Sequence, residues 1–201
     1  MSGVPLILAS ASPRRRALLE QAGIEFSVLP VEGVESRPED RGDPVAHARA
    51  SAEQKALAAS RLCAGALALG ADTVVAAAGR AMGKPGTLTE AGEMLAALSG
   101  RVHEVHTGVA LAWEGEVVLS DVVTTRVTFR RLSPAEIEAY VVTGEPMDKA
   151  GAYGIQESGA LLVQKIDGCY SNVVGLPLTR TREMLAEAQR VISNRRGGGQ
   201  C

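Results

Sequence analysis

The stretch Val4–Gly23, VPLILASASPRRRALLEQAG, constrains this chain more than any other. An apolar run from Val4 to Ala9 stops at Ser10 and Ser12, and Pro13 and three consecutive arginines, Arg14, Arg15 and Arg16, follow. The pattern predicts a strand, a tight loop of small residues and a helix. Ser12 is its N-cap, and Pro13 takes the first helical position, where a missing N–H costs nothing. The arginines then fall in the first turn, an end that the helix macrodipole already makes positive. N–H groups, hydroxyls and guanidinium groups crowded at one helix start suit a multiply charged anion, most naturally phosphate. A solvated charge run on a surface helix is the competing account of the same residues.

Composition narrows the setting. With 201 residues, 46% hydrophobic and 22% charged, the chain fits one α/β domain with a sizeable core and is not disordered throughout. A formal net charge of −2 gives no general drive toward nucleic acid or a membrane surface, so any phosphate-binding charge must be local. Cys63, Cys169 and Cys201 are odd in number and lack a CxxC spacing, which suggests neither a disulfide framework nor a zinc site and agrees with a reducing cytosol. The run Val4–Ala11 is short like a signal sequence, but its positive charges follow it instead of preceding it, so no signal peptide is expected. No other stretch is apolar for long enough to span a bilayer. A soluble, cytoplasmic protein is the expectation.

Further along, Phe26–Leu29 reads as a short strand and Pro30–Asp43 as an acidic loop rich in Pro and Gly. Asp43 and Pro44 open a helix to about Leu62. Ala66–Ala78 reads as a buried strand turning at Gly79-Arg80. A helix over Thr89–Leu98 is expected with Thr89 as N-cap. Val102–Trp113 and Val117–Leu132 form a long hairpin joined at Glu114-Gly115-Glu116, with Val105, Thr107, Val109, Leu111 and Trp113 on one face. Ser133-Pro134-Ala135-Glu136 is a capping box opening a helix to about Val142. Gly144–Gly154 is expected as loop, Ala160–Ile166 as strand and Leu176–Val191 as the last helix. The whole predicts an α/β fold: a single domain with a mixed twisted sheet flanked by helices and a long hairpin. That domain covers 1–192, and 193–201, ending in RRGGGQC, is expected as a disordered tail.

Asp72 is the most informative single residue. It interrupts a run otherwise built for burial, Gly70-Ala71-Asp72-Thr73-Val74-Val75, and a buried carboxylate is costly unless paired, hydrogen-bonded or metal-bound. It is either functional or a structural Asp held by backbone N–H groups near Gly70. Lys84 in a loop, Lys55 in mid-helix and Glu35 in the acidic loop look like surface residues by themselves. The segment Asp148–Gln156 is denser: two glycines allow close backbone approach while Asp148, Lys149, Tyr153 and Gln156 offer polar groups, which suits a ligand-lining role as well as an ordinary turn. His103 and His106 stand three apart in a strand and so point to opposite faces, which excludes joint chelation of one metal ion. Asn172–Pro177 reads as a connection into the last helix. No Ser–His–Asp order, GxxxxGK[ST] or GxGxxG is present, which argues against P-loop and standard dinucleotide enzymes.

Taken together, Ser10-Ala11-Ser12-Pro13-Arg14-Arg15, Gly70-Ala71-Asp72-Thr73, Gly83-Lys84-Pro85, Gly100-Arg101 with His106-Thr107-Gly108, Asp148–Gln156 and Asn172–Pro177 resemble the Maf family of nucleotide pyrophosphatases, in the family's order, from about Leu6 to about Leu185. The resemblance implies a Maf or ITPase-like fold. It also implies hydrolysis of a nucleoside triphosphate between its α and β phosphates, dependent on a divalent cation, Mg²⁺ or Mn²⁺, in a homodimer with a housecleaning role. It maps the proton acceptor onto Asp72, phosphate binding onto Ser10, Arg14, Arg15, Lys55 and Lys84, and metal ligation onto Asp72 and Glu35. Arg14, Thr73 and Gln156 match the specificity positions of the branch that prefers dTTP and UTP, whereas the branch acting on 7-methyl-GTP carries Trp, Gln and Glu there. A Gln amide offers one donor and one acceptor, which match O4 and N3–H of uracil or thymine, so modified pyrimidine nucleotides are expected as substrates too. A nucleotide-binding regulator of cell division with little turnover, and a pyrophosphatase for 7-methyl-GTP or other purine nucleotides, are the alternatives. Asp72 favours an enzyme, because a phosphate sensor gains nothing from negative charge beside its anion.

Overall fold

The computed structural model describes residues 4–31 and 42–197. Among them, seven strands form one mixed sheet: β1 (Leu6–Leu8), β2 (Ser27–Val28), β3 (Leu67–Ala77), β4 (Arg80–Met82), β5 (Val102–Trp113), β6 (Glu116–Phe129) and β7 (Val163–Asp167). They run in the order β2-β1-β3-β5-β6-β7, with β4 folded back on the end of β3. β1 pairs parallel with β2 and β3, and the remaining pairs are antiparallel. The expected single-domain mixed α/β sheet with its long hairpin is therefore the fold observed.

The β3–β5 register decides which side chains share a face. Odd-numbered Leu67, Leu69, Ala71 and Val75 of β3 meet Val105, Val109, Leu111 and Trp113 of β5 in the main core, together with Leu18 and Leu19 of helix α1 (Pro13–Gln21), Leu95 and Leu98 of α3 (Leu88–Leu98) and Met184 and Ile192 of α6 (Leu178–Gly197). The even face packs against α2 (Pro44–Leu62) through alanines: Ala52 and Ala56 meet Ala110 and Ala112, and Ala59 meets Ala68. Small residues let this helix lie close to the sheet, and two glycines let it lie closer still. A Cβ on Gly70 would stand 2.2 Å from the Ala52 carbonyl oxygen, and one on Gly108 2.1 Å from that of Ala48, so neither position holds any larger residue without moving α2.

Local signals fix most helix starts. Ser12 accepts from the Arg15 N–H, Asp43 from Val45, and Ser133 forms its capping box with Glu136 at the start of α4 (Pro134–Val141). The cap of α3 is Thr87, not Thr89: Thr87 is extended and its hydroxyl accepts from the Glu90 N–H at 3.1 Å, which places Thr89 inside the first turn. Ala160–Leu162 belong to a 3-10 stretch, Glu157–Leu162, and the strand begins only at Val163. A short helix, α5 (Tyr170–Val174), precedes α6 where a plain connection was expected. Helix α6 starts at Leu178 and continues past Val191 to Gly197, into the stretch expected as a tail. Basic residues suit a helix C-terminus, and here Arg195 pairs with Glu116 at 3.1 Å while the Arg196 guanidinium lies 5.4 Å from the Trp113 ring centroid. Residues 198–201 lie outside the described residues. No described helix is long and apolar enough to cross a membrane.

His103 lies in the core in T-shaped contact with the rings of Phe129 and Tyr153, and its Nε2 is 2.8 Å from the Tyr153 hydroxyl. Burial pushes its pKa down to about 4. Between about pH 6.5 and 4 the unfolded chain therefore binds a proton that the folded chain does not, and stability falls as pH falls, by up to about 3 kcal/mol. Urea unfolding at pH 7 and pH 4.5 checks this: His103→Gln, which keeps a hydrogen bond to Tyr153, is expected to lose less stability than wild type over that interval. An equal loss in both proteins contradicts it.

Candidate active site

The sheet opens where β1 ends. β5 covers one edge of β3 from Leu67 to Ala76, while the other edge is shared by β1, paired at Leu67–Leu69, and β4, paired at Val75–Ala77. Between them, no described strand covers that edge of β3. Beside this gap the chain leaves β1 through Ser10 and Ser12 into α1. Asp72 and Thr73 lie in the gap and point to opposite faces, because strand side chains alternate.

On the α2 face, Lys55 Nζ donates to Asp72 Oδ1 at 2.7 Å, with the lysine side chain buried and the carboxylate 18% exposed. This is not the solvated mid-helix lysine that Lys55 resembles in the sequence. The close seating of α2 over Gly70 and Gly108, the latter opposite Asp72 in the ladder, brings the ammonium down to the sheet. Asp72 is accordingly held by a cation and not by backbone N–H groups near Gly70.

On the other face, Arg15 is 9% exposed, and its guanidinium donates to Ser10 Oγ at 3.1 Å, Thr73 Oγ1 at 3.2 Å and the Gly175 carbonyl at 2.9 Å. Thr73 Oγ1 lies 3.0 Å from Thr107 Oγ1, which donates to the Asn172 carbonyl at 3.0 Å. The Asn172 amide in turn donates to the Val105 carbonyl and to Thr125 Oγ1. The Asn172–Pro177 connection thus supplies backbone acceptors to the site. A carbonyl leaves no side-chain signal; the neighbouring Thr107 does lie inside a landmark motif, His106-Thr107-Gly108.

Arg14 reaches Asp148 at 3.2 Å, and Lys149 reaches the same carboxylate at 2.7 Å. Burial would raise the Asp148 carboxyl, but the Lys149 ammonium and then Arg14 outweigh it and hold the group below the usual range. The pair joins α1 to the Asp148–Gln156 segment. That segment is fastened to the Lys84 loop, where the Gly151 N–H donates to the Gly83 carbonyl at 3.0 Å. Lys84 and Gln156 are exposed, and among the described residues neither bonds another candidate residue. Arg16 pairs with Glu20 on the surface at 2.8 Å, one turn along its own helix. His103 and His106 separate as expected, His106 bonding Thr124 at 2.9 Å on the α2 face. Glu35 lies outside the described residues.

Among the described residues no group of three or more His, Cys, Asp or Glu side chains gathers. The partly exposed Asp72 carboxylate, paired with Lys55, still fits a hard cation of the Mg²⁺ type, which takes oxygen ligands from one or two carboxylates and the rest from substrate phosphates and water. The chemistry available is therefore anion binding by Arg15, Arg14 and Lys55 beside one carboxylate able to take a proton.

The family model described as Maf-like protein matches residues 5–188. A dTTP/UTP pyrophosphatase of Moorella thermoacetica is 51% identical over 183 residues, covering 90% of this chain and 93% of its own. One from Citrifermentans bemidjiense is 47% identical over 195 residues, covering 96% and 97%. A solved nucleoside-triphosphatase (dITP/XTP pyrophosphatase) from Mycobacterium abscessus superposes loosely, with a TM-score of 0.41 and 14% identity over 94% of this chain and 96% of that one. On the extent of the family match and of these identities, the chain belongs to the Maf-like proteins.

Proposed function

We propose that this chain is a nucleoside triphosphate pyrophosphatase that converts dTTP and UTP to the monophosphate and pyrophosphate, a housecleaning activity extending to modified pyrimidine nucleotides. The observation that carries the chemistry is the Lys55–Asp72 pair at the uncovered edge of β3, beside the Arg15–Ser10–Thr73 cluster. The relatives named dTTP/UTP pyrophosphatase support the substrate class.

Ser10, Arg14, Arg15, Lys55 and Lys84 bind and orient the triphosphate and neutralise the charge that builds on the departing pyrophosphate. Asp72 accepts the proton of the attacking water. Lys55, donating to it at 2.7 Å, holds the carboxylate in place. Asp72, with Glu35, would hold a divalent cation, Mg²⁺ or Mn²⁺, which when bound supplies Lewis-acid stabilisation of the phosphate oxygens. Arg14 braces the Asp148–Gln156 segment through Asp148. Gln156 reads the base, its amide matched to O4 and N3–H of uracil or thymine, and Arg14 and Thr73 complete the selection. A homodimer belongs to the same proposal.

Gln156→Glu tests the base assignment. Two carboxylate oxygens accept but cannot donate to O4, so kcat/KM for dTTP and UTP is expected to fall about a hundredfold, with little change in Tm, because Gln156 is exposed. Unchanged selectivity across a nucleotide panel removes Gln156 from the role.

A further inference from the structure

Thr73 faces the site with its proton already committed. Thr107 is fully buried directly opposite it in the β3–β5 ladder, and their hydroxyl oxygens are 3.0 Å apart. Each hydroxyl owns one proton. The Asn172 carbonyl, 3.0 Å from Thr107 Oγ1, can only accept, so Thr107 donates to it and accepts from Thr73. The reverse arrangement would send the Thr107 proton to Thr73 and the Thr73 proton to the Gly175 carbonyl, which lies 3.5 Å away and already takes Arg15 Nε at 2.9 Å. Either way the protein consumes the Thr73 proton. With Thr73 donating to Thr107, Arg15 occupies one lone pair of Thr73 Oγ1 at 3.2 Å and the other is left for a ligand, on a residue that is itself partly exposed.

We propose that Thr107 is a positioning residue that makes the Thr73 hydroxyl an acceptor only, so that in the bound nucleotide Thr73 faces a hydrogen-bond donor and not phosphate. Phosphate oxygens at neutral pH accept and do not donate, so a threonine beside a triphosphate would ordinarily spend its proton on them, and here it cannot. The donors common to dTTP and UTP are the base N3–H and the sugar 3′-hydroxyl. The inference rests on the nucleotide-hydrolysing function proposed above. That function gives N3–H to Gln156 and leaves the 3′-hydroxyl to Thr73, which then contributes to selection by fixing the sugar that sets the base against Gln156.

The test compares dTTP with 2′,3′-dideoxythymidine triphosphate and with N3-methyl-dTTP, on wild type, Thr107→Val, Thr107→Ser and Thr73→Val. Both kcat/KM for pyrophosphate release and Kd by calorimetry are measured. Wild type is expected to disfavour the dideoxy analogue about tenfold, the worth of one neutral hydrogen bond. In Thr107→Val the Thr73 hydroxyl loses its nearer acceptor and is released to turn, and the discrimination weakens; Thr107→Ser restores it. Thr73→Val loses it outright and decides the question if Thr107→Val does not fold. A Thr107-dependent loss on the N3-methyl analogue instead assigns the donor to the base and equally supports acceptor-only Thr73; the methyl's bulk weighs alike on wild type and Thr107→Val, so their difference isolates the hydrogen bond. Discrimination that is absent in wild type, or unchanged in Thr107→Val, overturns the proposal. So does an equal loss on all three nucleotides, the mark of a merely structural threonine. A wild type that binds dTTP without hydrolysing it defeats the enzymatic function instead, and the Kd ratios then judge Thr107.

Discussion

Asp72→Asn is expected to lower kcat for dTTP and UTP by about a thousandfold, within the range for removal of a positioned general base, while KM changes far less. Asn has the shape of Asp, and its Oδ1 still accepts from Lys55 Nζ, so the ion pair at 2.7 Å becomes a charge-assisted hydrogen bond and the local geometry holds. What disappears is a group able to take a proton from water and to offer a charged oxygen to a cation. Steady-state pyrophosphate release gives the kinetic ratio, and calorimetry shows whether the fold survives. A variant with wild-type kcat would mean that Asp72 is only the counter-charge that lets Lys55 be buried.

Gly108→Ala is expected to be among the most damaging single-methyl changes at the described residues. The added Cβ would sit 2.1 Å from the Ala48 carbonyl oxygen and 2.9 Å from the Arg49 nitrogen, both backbone atoms of α2 that no rotamer change can clear. The helix must move outward, and the alanine seam formed by Ala52, Ala56, Ala110 and Ala112 opens with it. A loss of about 3 kcal/mol or more follows from overpacking against backbone. Because α2 carries Lys55, activity measured well below Tm falls as well. Gly92→Ala is the matched control. It lies inside α3 with the nearest other atom, Ile137 Cγ2, at 3.8 Å, so alanine there should stabilise by about 1 kcal/mol through helix propensity. Chemical denaturation of both variants checks the pair; equal stability would contradict the close seating of α2.

The parts of this fold legible in the sequence are those encoded by neighbouring residues. Ser12, Asp43 and Ser133 cap their helices as the pattern predicts, and the Glu114-Gly115 turn joins β5 to β6. Thr87 and Thr89 sit two apart at one helix start, and composition alone does not separate them. Asp72 stands out because a carboxylate is expensive in an apolar run. Lys55 does not, since a lysine between Gln54 and Ala56 in a helix looks solvated until the sheet beneath it is known. Its burial is a tertiary consequence of Gly70 and Gly108, which are far from it in sequence. The carbonyls of Asn172 and Gly175 that hold Thr107 and Arg15 belong to the backbone and leave no residue-type signature. The resemblance to the Maf family placed several of these residues at the site where composition alone favoured the surface, and the geometry supplies the physical reason for Lys55.

Incubating the purified chain with dTTP, UTP, dCTP, dATP, dGTP and 7-methyl-GTP in Mg²⁺ or Mn²⁺, with and without chelator, and measuring pyrophosphate and orthophosphate separately, tests the proposed activity. Pyrophosphate and the monophosphate are expected from dTTP and UTP, suppressed by chelator, with the other nucleotides far slower. Absence of turnover on every nucleotide, or orthophosphate in place of pyrophosphate, would contradict it; activity confined to 7-methyl-GTP would contradict the substrate assignment.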